Sequence, residues 1–278
     1  MNVGAARRLA RAAAKAALVR AAVTRSAVAR PPRDGLAILY WHRVGPGVDV
    51  FAVTPRAFRR ACDEIERSGC RVVDLAELDE LVLAPGERAV ALTFDDGSAD
   101  LLDHAIPELD RRGWPATVFV VPGVVDGSYR FTDIYREDPG FITYDQMREV
   151  ERSTRVRFEP HSLSHRDLPP LAEDEARREI AGSGDLLAAE LGRPARLFCY
   201  PRGYFGDREE TLCAEAAYVA AVGTEYGVNR APWDRFALRR TIFDGFDDRL
   251  MMRARIAGLV DRPPAGRSAR QAEGFTNL

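Results

Sequence analysis

Ala89-Val90-Ala91-Leu92-Thr93-Phe94-Asp95-Asp96-Gly97 is the stretch that decides the architecture. Its first six residues have the length and apolar character of a buried strand, and the run stops at two adjacent carboxylates and a glycine. Similar short runs recur on both sides, at residues 36–41, 72–73, 116–121, 156–159, 197–200, 219–222 and 238–243. Between them lie segments with helical spacing. Thr54-Pro55 makes a good helix start, with Phe58, Cys62 and Ile65 on one face and Gly69 as the stop. Residues 100–111 read as a helix bent by Pro107, and Thr143 with Gln146 as a capping box. A long helix over 171–191 is expected to be loosened by Gly182 and Gly184, with further helices at 208–217 and 248–260. Strands alternating with helices predict an α/β fold with a parallel sheet. The pattern alone does not separate a barrel from an open sheet. No G-x-G-x-x-G or P-loop follows any of the strands, which removes the main support for nucleotide binding.

Chemistry gathers where strands end, the usual place for active sites in parallel α/β folds. Asp95 and Asp96 repel one another unless a cation relieves the charge; a solvated Asp-Asp-Gly turn is the plain alternative. His161-Ser162-Leu163-Ser164-His165 follows the strand at 156–159 and uses two of the four histidines. Histidines four apart face the same way on a helical turn, a spacing suited to one metal ion; two surface histidines on a polar loop are the alternative. Taken together, Asp96, His161 and His165 form a facial set of one carboxylate and two imidazoles. Asp95 is then left beside the ion, placed to take a proton from water.

At these residues the chain resembles the polysaccharide deacetylases, which include chitin, peptidoglycan and rhizobial nodulation deacetylases (the NodB-like domain). Thr93 to Gly97 matches their first motif and His161 to His165 their second, H-[ST]-x-x-H. Phe198-Cys199-Tyr200-Pro201-Arg202-Gly203 looks like the third, usually R-x-P-Y-G, but Cys199 stands where many members carry arginine and Arg202 where they carry tyrosine. In the family that arginine holds the catalytic aspartate, and Arg239 or Arg240 is a candidate to hold Asp95 instead. The resemblance implies an oxyanion site near Arg202, Gly203 and Tyr204, with a backbone N–H as donor. The family's C-terminal histidine strand is missing, since no histidine follows His165. An apolar strand ending in His42 lies near the start, similar to the circularly permuted branch that deacetylates poly-N-acetylglucosamine. His42 is thereby implied as the general acid, and His104 is read as structural. Tyr40, Trp41 and Tyr204 are either sugar-stacking or core aromatics.

The resemblance implies a distorted (β/α) barrel of about seven parallel strands. It implies one divalent ion, zinc by preference, with Co2+, Ni2+, Fe2+ or Mn2+ as alternatives. The substrate expected is an acetylated glycan, deacetylated at nitrogen. The rivals are an O-deacetylase, a carbohydrate-binding protein of the same fold without turnover, and a non-haem iron oxygenase, whose usual β-rich scaffold the alternation disfavours.

Composition sets the frame. At 278 residues with 46% hydrophobic and 29% charged, the chain can bury a large core. Residues 1–33 hold eight basic groups and no acid; because the whole chain is −2, the remainder carries −10. That acidic body argues against nucleic-acid binding, while the arm could make weak contact with an anionic membrane surface. The expected organisation is a basic arm (1–33), a deacetylase-like domain (34–261) and an unstructured tail (262–278). No secretory or membrane-spanning apolar run is evident, so a cytoplasmic or membrane-peripheral location is expected. Cys62, Cys70, Cys199 and Cys213 show no C-x-x-C spacing and read as free thiols.

Overall fold

A computed structural model describes residues 34–46, 51–131, 140–245 and 247–259. The arm over 1–33 and the tail over 262–278 lie outside the described residues. Strand β1 (Gly35–Trp41) is buried along its whole length, as a strand flanked on both sides must be. It pairs with β5 (Arg88–Phe94) on one side and β10 (Arg240–Ile242) on the other. Near its start β5 also pairs with β4 (Arg71–Val72), and near its end with β6 (Ala116–Val120), which continues to β7 (Val156–Pro160). Strands β8 (Leu197–Cys199) and β9 (Ala220–Val222) pair with each other, and a bridge from Val222 to Leu238 links β9 to the segment entering β10. All these pairings are parallel, and the first long strand is the neighbour of the last.

The seven strands expected of a distorted barrel are therefore present as β1 and β5 to β10, but backbone pairing does not close them. Among the described residues no ladder joins β7 to β8. Side chains cross that seam instead. Glu159 of β7 accepts from the N–H groups of Arg196 and Leu197 at 2.7 and 3.1 Å. Arg193 braces it, donating to Glu159 Oε1 at 3.0 Å and to Phe158 O at 2.7 Å.

The helices cover the sheet. Thr54 Oγ1 accepts from Ala57 N and caps α1 (Pro55–Ser68), which turns Phe58, Cys62 and Ile65 into the main core. The helix expected over 100–111 is divided into α2 (Asp100–Asp103) and α3 (Ala105–Arg112). The break falls at His104, one turn before Pro107, because the proline ring excludes a carbonyl from the preceding turn. Helix α4 (Pro122–Val125) follows β6, and the capping box of Thr143 and Gln146 opens α5 (Tyr144–Ser153). Helix α6 (Glu173–Leu191) runs unbroken through Gly182 and Gly184. A Cβ on Gly184 would stand 2.4 Å from the Tyr218 hydroxyl, so glycine here admits a neighbour and does not loosen the helix. Helices α7 (Asp207–Glu215) and α8 (Arg249–Ile256) complete the set. Two short parallel strands, β2 (Arg43–Val44) and β3 (Ala52–Val53), have no periodic signal in the sequence. None of the described helices is long and apolar enough to cross a membrane.

Candidate functional site

Parallel strands bring their C-terminal ends to one side. His42 follows β1, Asp95 and Asp96 follow β5, His161 and His165 follow β7, and Arg202 follows β8. Asp96, His161 and His165 meet there, with one ligand atom from each lying within 4.8 Å of the others. Nε2 of His161 and of His165 each lie 3.8 Å from Asp96 Oδ1. That is too long for a hydrogen bond but a gap that two metal–ligand bonds of ~2 Å span.

The second histidine arrives by a different route from the one its spacing suggests. Residues 161–165 form a loop and not a helical turn: Ser162 and His165 have φ of 61° and 59°. The loop is tied down at several points. His165 N donates to Ser162 Oγ at 2.9 Å, Ser164 N to Glu179 Oε2 at 2.9 Å, and Leu163 N to Glu179 O at 3.1 Å. Asp96 and Arg202 also have positive φ, 71° and 55°. Among the described non-glycine residues only Ala217 shares this conformation outside the site. Strain concentrated this way marks a place where geometry is over-determined.

The electrostatics suit a cation. His161 Nδ1 lies 2.8 Å from Cys199 O, so it carries the proton, leaving the Nε2 lone pair facing Asp96. Burial, with the neighbouring His165, holds His161 at about 4; burial, with the charge of Arg202, holds His165 at about 4. Both imidazoles are neutral at pH 7, the form that binds metal.

Asp95 is placed differently. Arg240, fully buried, grips it with both ends of the guanidinium: Nη1 to Oδ1 at 2.7 Å and Nη2 to Oδ2 at 2.8 Å. Arg240 is itself held by Gly223 O on Nε at 2.8 Å, by Thr93 Oγ1 at 3.2 Å, and by the Tyr40 ring, 4.3 Å from its centre. Burial pushes the Asp95 carboxyl up, but the Arg240 charge and hydrogen bonds outweigh it and hold the group at about 2. Cys199, at the third-motif position where many family members carry arginine, sets its sulfur 3.1 Å from Arg240 Nη2 and 3.8 Å from Asp95 Oδ1. Asp95, His161 and Cys199 also converge as ligands. A cation there would face the Arg240 guanidinium, and burial keeps the thiol protonated, so Asp96, His161 and His165 are the better-suited set.

The remaining residues sort by position. Arg239 is far more exposed and lies 3.9 Å from Glu225, away from Asp95. The N–H groups of Gly203 and Tyr204 are spent inside their own turn, on Tyr200 O and Pro201 O. This narrows the backbone donor of that turn to Arg202, whose side chain leans outward to Asp167 at 2.8 Å. Tyr40 and Trp41 are core residues, whereas Tyr204 is exposed. His42 is half-buried, its ring 4.6 Å from Phe51 and 5.8 Å from Tyr40, and its charge when protonated is felt at Asp95 and His165. All four cysteines are unpaired.

With this geometry in view, comparison with known proteins is decisive. Residues 83–221 match the polysaccharide deacetylase family model. The chain belongs to the polysaccharide deacetylase family. The match takes in the Asp95–Asp96 turn, the His161–His165 loop and the Arg202 turn; β1 and β10, which supply His42 and Arg240, lie outside it. Bacillus subtilis YxkH is 24% identical over 208 residues, covering 74% of this chain and 70% of that protein. The poly-β-1,6-N-acetyl-D-glucosamine N-deacetylase of Escherichia coli K12 is 29% identical over 141 residues, 47% of this chain and only 21% of that protein's length. Among solved structures, IcaB from Ammonifex degensii superposes with a TM-score of 0.70 at 23% identity, covering 82% of this chain and 98% of its own. That likeness shows the fold.

Proposed function

We propose that the protein is a metal-dependent N-deacetylase acting on N-acetylated amino sugars of a polysaccharide or glycoconjugate. One observation carries the reading: two neutral imidazoles and Asp96 converge on one point, while Asp95 is held ionised beside it by Arg240. Asp96, His161 and His165 would hold the ion, zinc being the ion that suits such a donor set best. Once bound, the ion supplies a Lewis acid for the acetamide carbonyl and for the attacking water. Asp95 takes a proton from that water. A carboxylate at about 2 is always ionised at neutral pH but weakly basic, so its part is to orient the water as much as to accept the proton. The Arg202 N–H supports the developing oxyanion. His42, from the first strand, gives a proton to the leaving amine. The relation to a poly-N-acetylglucosamine deacetylase makes an N-acetylglucosamine polymer the first substrate to try.

The test is metal analysis joined to acetate release from N-acetylglucosamine oligomers, alongside O-acetylated glycans. About one ion per chain and acetate from the N-acetylated series support the reading. A fully loaded protein that releases acetate from neither series rejects it, and release from O-acetylated glycans alone reassigns the bond.

A further inference from the structure

Arg43 and Asp100 have no part in the chemistry above, yet they form a buried polar network beside it. Arg43 follows His42 directly and is 8% exposed. Its Nε and Nη2 each lie 3.0 Å from Asp100 Oδ2, and Ser98, fully buried, donates its hydroxyl to Asp100 Oδ1 at 2.5 Å. The backbone presses on the same carboxylate: a Cβ at Gly45 would stand 2.6 Å from Asp100 Oδ2, so only glycine allows the approach.

The position of His42 follows from these contacts. Just before it, Trp41 O accepts from Asp95 N at 2.9 Å. Just after it, the Arg43 guanidinium reaches Asp100. Both attachments fall on residues 95–100, the segment that carries Asp95 and Asp96. On the other flank, Arg43 N donates to Phe51 O at 3.2 Å, and the Phe51 ring rests 4.6 Å from that of His42. A buried ion pair contributes little net stability compared with an apolar pair of the same size. Its value here lies in fixing one loop against another.

We infer that Arg43, Asp100 and Ser98 form a positioning clamp that holds His42 in register with Asp95 and Asp96. The inference rests on the reading of His42 as proton donor. Misplacement of a proton donor by about 1 Å costs on the order of 10²-fold. The clamp should therefore matter most where proton donation matters most.

The test uses the full chain with its metal content measured. Arg43→Met and Asp100→Asn are combined, so that neither charge is left alone. On an N-acetylglucosamine oligomer kcat should fall about 10- to 100-fold, with KM and metal content held. On an activated acetyl ester, whose leaving group needs no proton, the fall should be about two-fold. In a His42→Ala background the same pair should change amide turnover by about two-fold or less. Equal losses on amide and ester, or a full loss added on top of His42→Ala, would overturn the clamp while leaving His42 in place. Normal amide turnover in His42→Ala alone would instead remove the donor and the clamp with it. Should the double variant not fold, Ser98→Ala removes one hydrogen bond and keeps the ion pair. It should show the same amide-over-ester bias at about two- to five-fold, and its absence would count equally against the clamp.

Discussion

The two sides of the site are built by different means. Asp95 and Asp96 extend from β5, which is paired on both flanks, and Asp95 N itself continues the ladder to Trp41 O. His161 and Cys199 face each other across the seam between β7 and β8, where the described strands share no ladder. There the connection runs through side chains: Glu159 and Arg193 at one end of the seam, the His161 ring on Cys199 O at the other. Backbone pairing can thus be dispensed with where buried polar groups satisfy the same donors and acceptors. One consequence is that His161 has two duties, as a proposed ligand and as a stitch, whereas His165 has one.

Variants at the two histidines probe this most severely. Either His161→Ala or His165→Ala should remove stoichiometric metal and bring acetate release to background. Their stabilities should separate them: His161→Ala, which also frees Cys199 O, should melt earlier in the metal-free protein by a margin of about 1–3 kcal/mol. Equal melting of the two would show that the His161–Cys199 contact is not a structural link.

On the laddered side, Asp95→Asn should retain metal and lose about 10²- to 10⁴-fold in kcat. Loss of metal from that variant, with retention in Asp96→Asn, would exchange the two roles. Arg240→Met should leave Asp95 as a buried charge without its partner and destabilise the fold by about 3–5 kcal/mol, read from urea midpoints near neutral pH. The pH dependence follows from the depressed carboxyl. Asp95 in the fold sits at about 2 against an ordinary 3.8, so its contribution is complete above pH ~4 and disappears as pH falls toward ~2. For the metal-free protein this is about 2–3 kcal/mol of acid-sensitive stability. Asp95→Asn should lack that portion of the acid limb.

How much of this was written in the sequence differs between the same two sides. The strands around Asp95 declare themselves by unbroken apolar runs, and the position of β1 beside β10 agrees with a histidine strand that comes first. Arg240 was one of two adjacent candidates to hold Asp95; only its place at the start of an inward-facing strand distinguishes it from Arg239. The seam side was harder to read. His161 and His165 suggested a helical turn because positive φ at Ser162 and His165 leaves no mark when the residue is not glycine. The Arg43–Asp100 link joins residues 57 positions apart, and no local pattern ties them. One signal was available: Glu159 is an acid near the end of an otherwise buried strand, where a charge has to find donors. Its donors prove to be the N–H groups that a neighbouring strand would have satisfied.

Glu159 therefore offers the finest test of the contrast. Glu159→Gln keeps the shape and one acceptor oxygen but replaces the other with an NH2 group, which cannot accept from Arg193 or from the backbone N–H groups of Arg196 and Leu197. The expected cost is about 1–3 kcal/mol, below that of Arg240→Met. Hydrogen exchange should locate it: the amides of Arg196 and Leu197 should lose protection, while those of β1 and β5 keep theirs. The pH dependence should run opposite to that of Asp95. Burial pushes the Glu159 carboxyl above its ordinary value despite Arg193. Its contribution is then greatest below the usual glutamate range of ~4.3 and declines as pH rises through the raised value. The stability gap between wild type and Glu159→Gln should narrow as pH rises above ~4, while the gap due to Asp95 and Arg240 opens between ~2 and ~4. Parallel pH profiles for the two sites, or exchange that spreads evenly over both, would mean that the seam is no softer than the ladder.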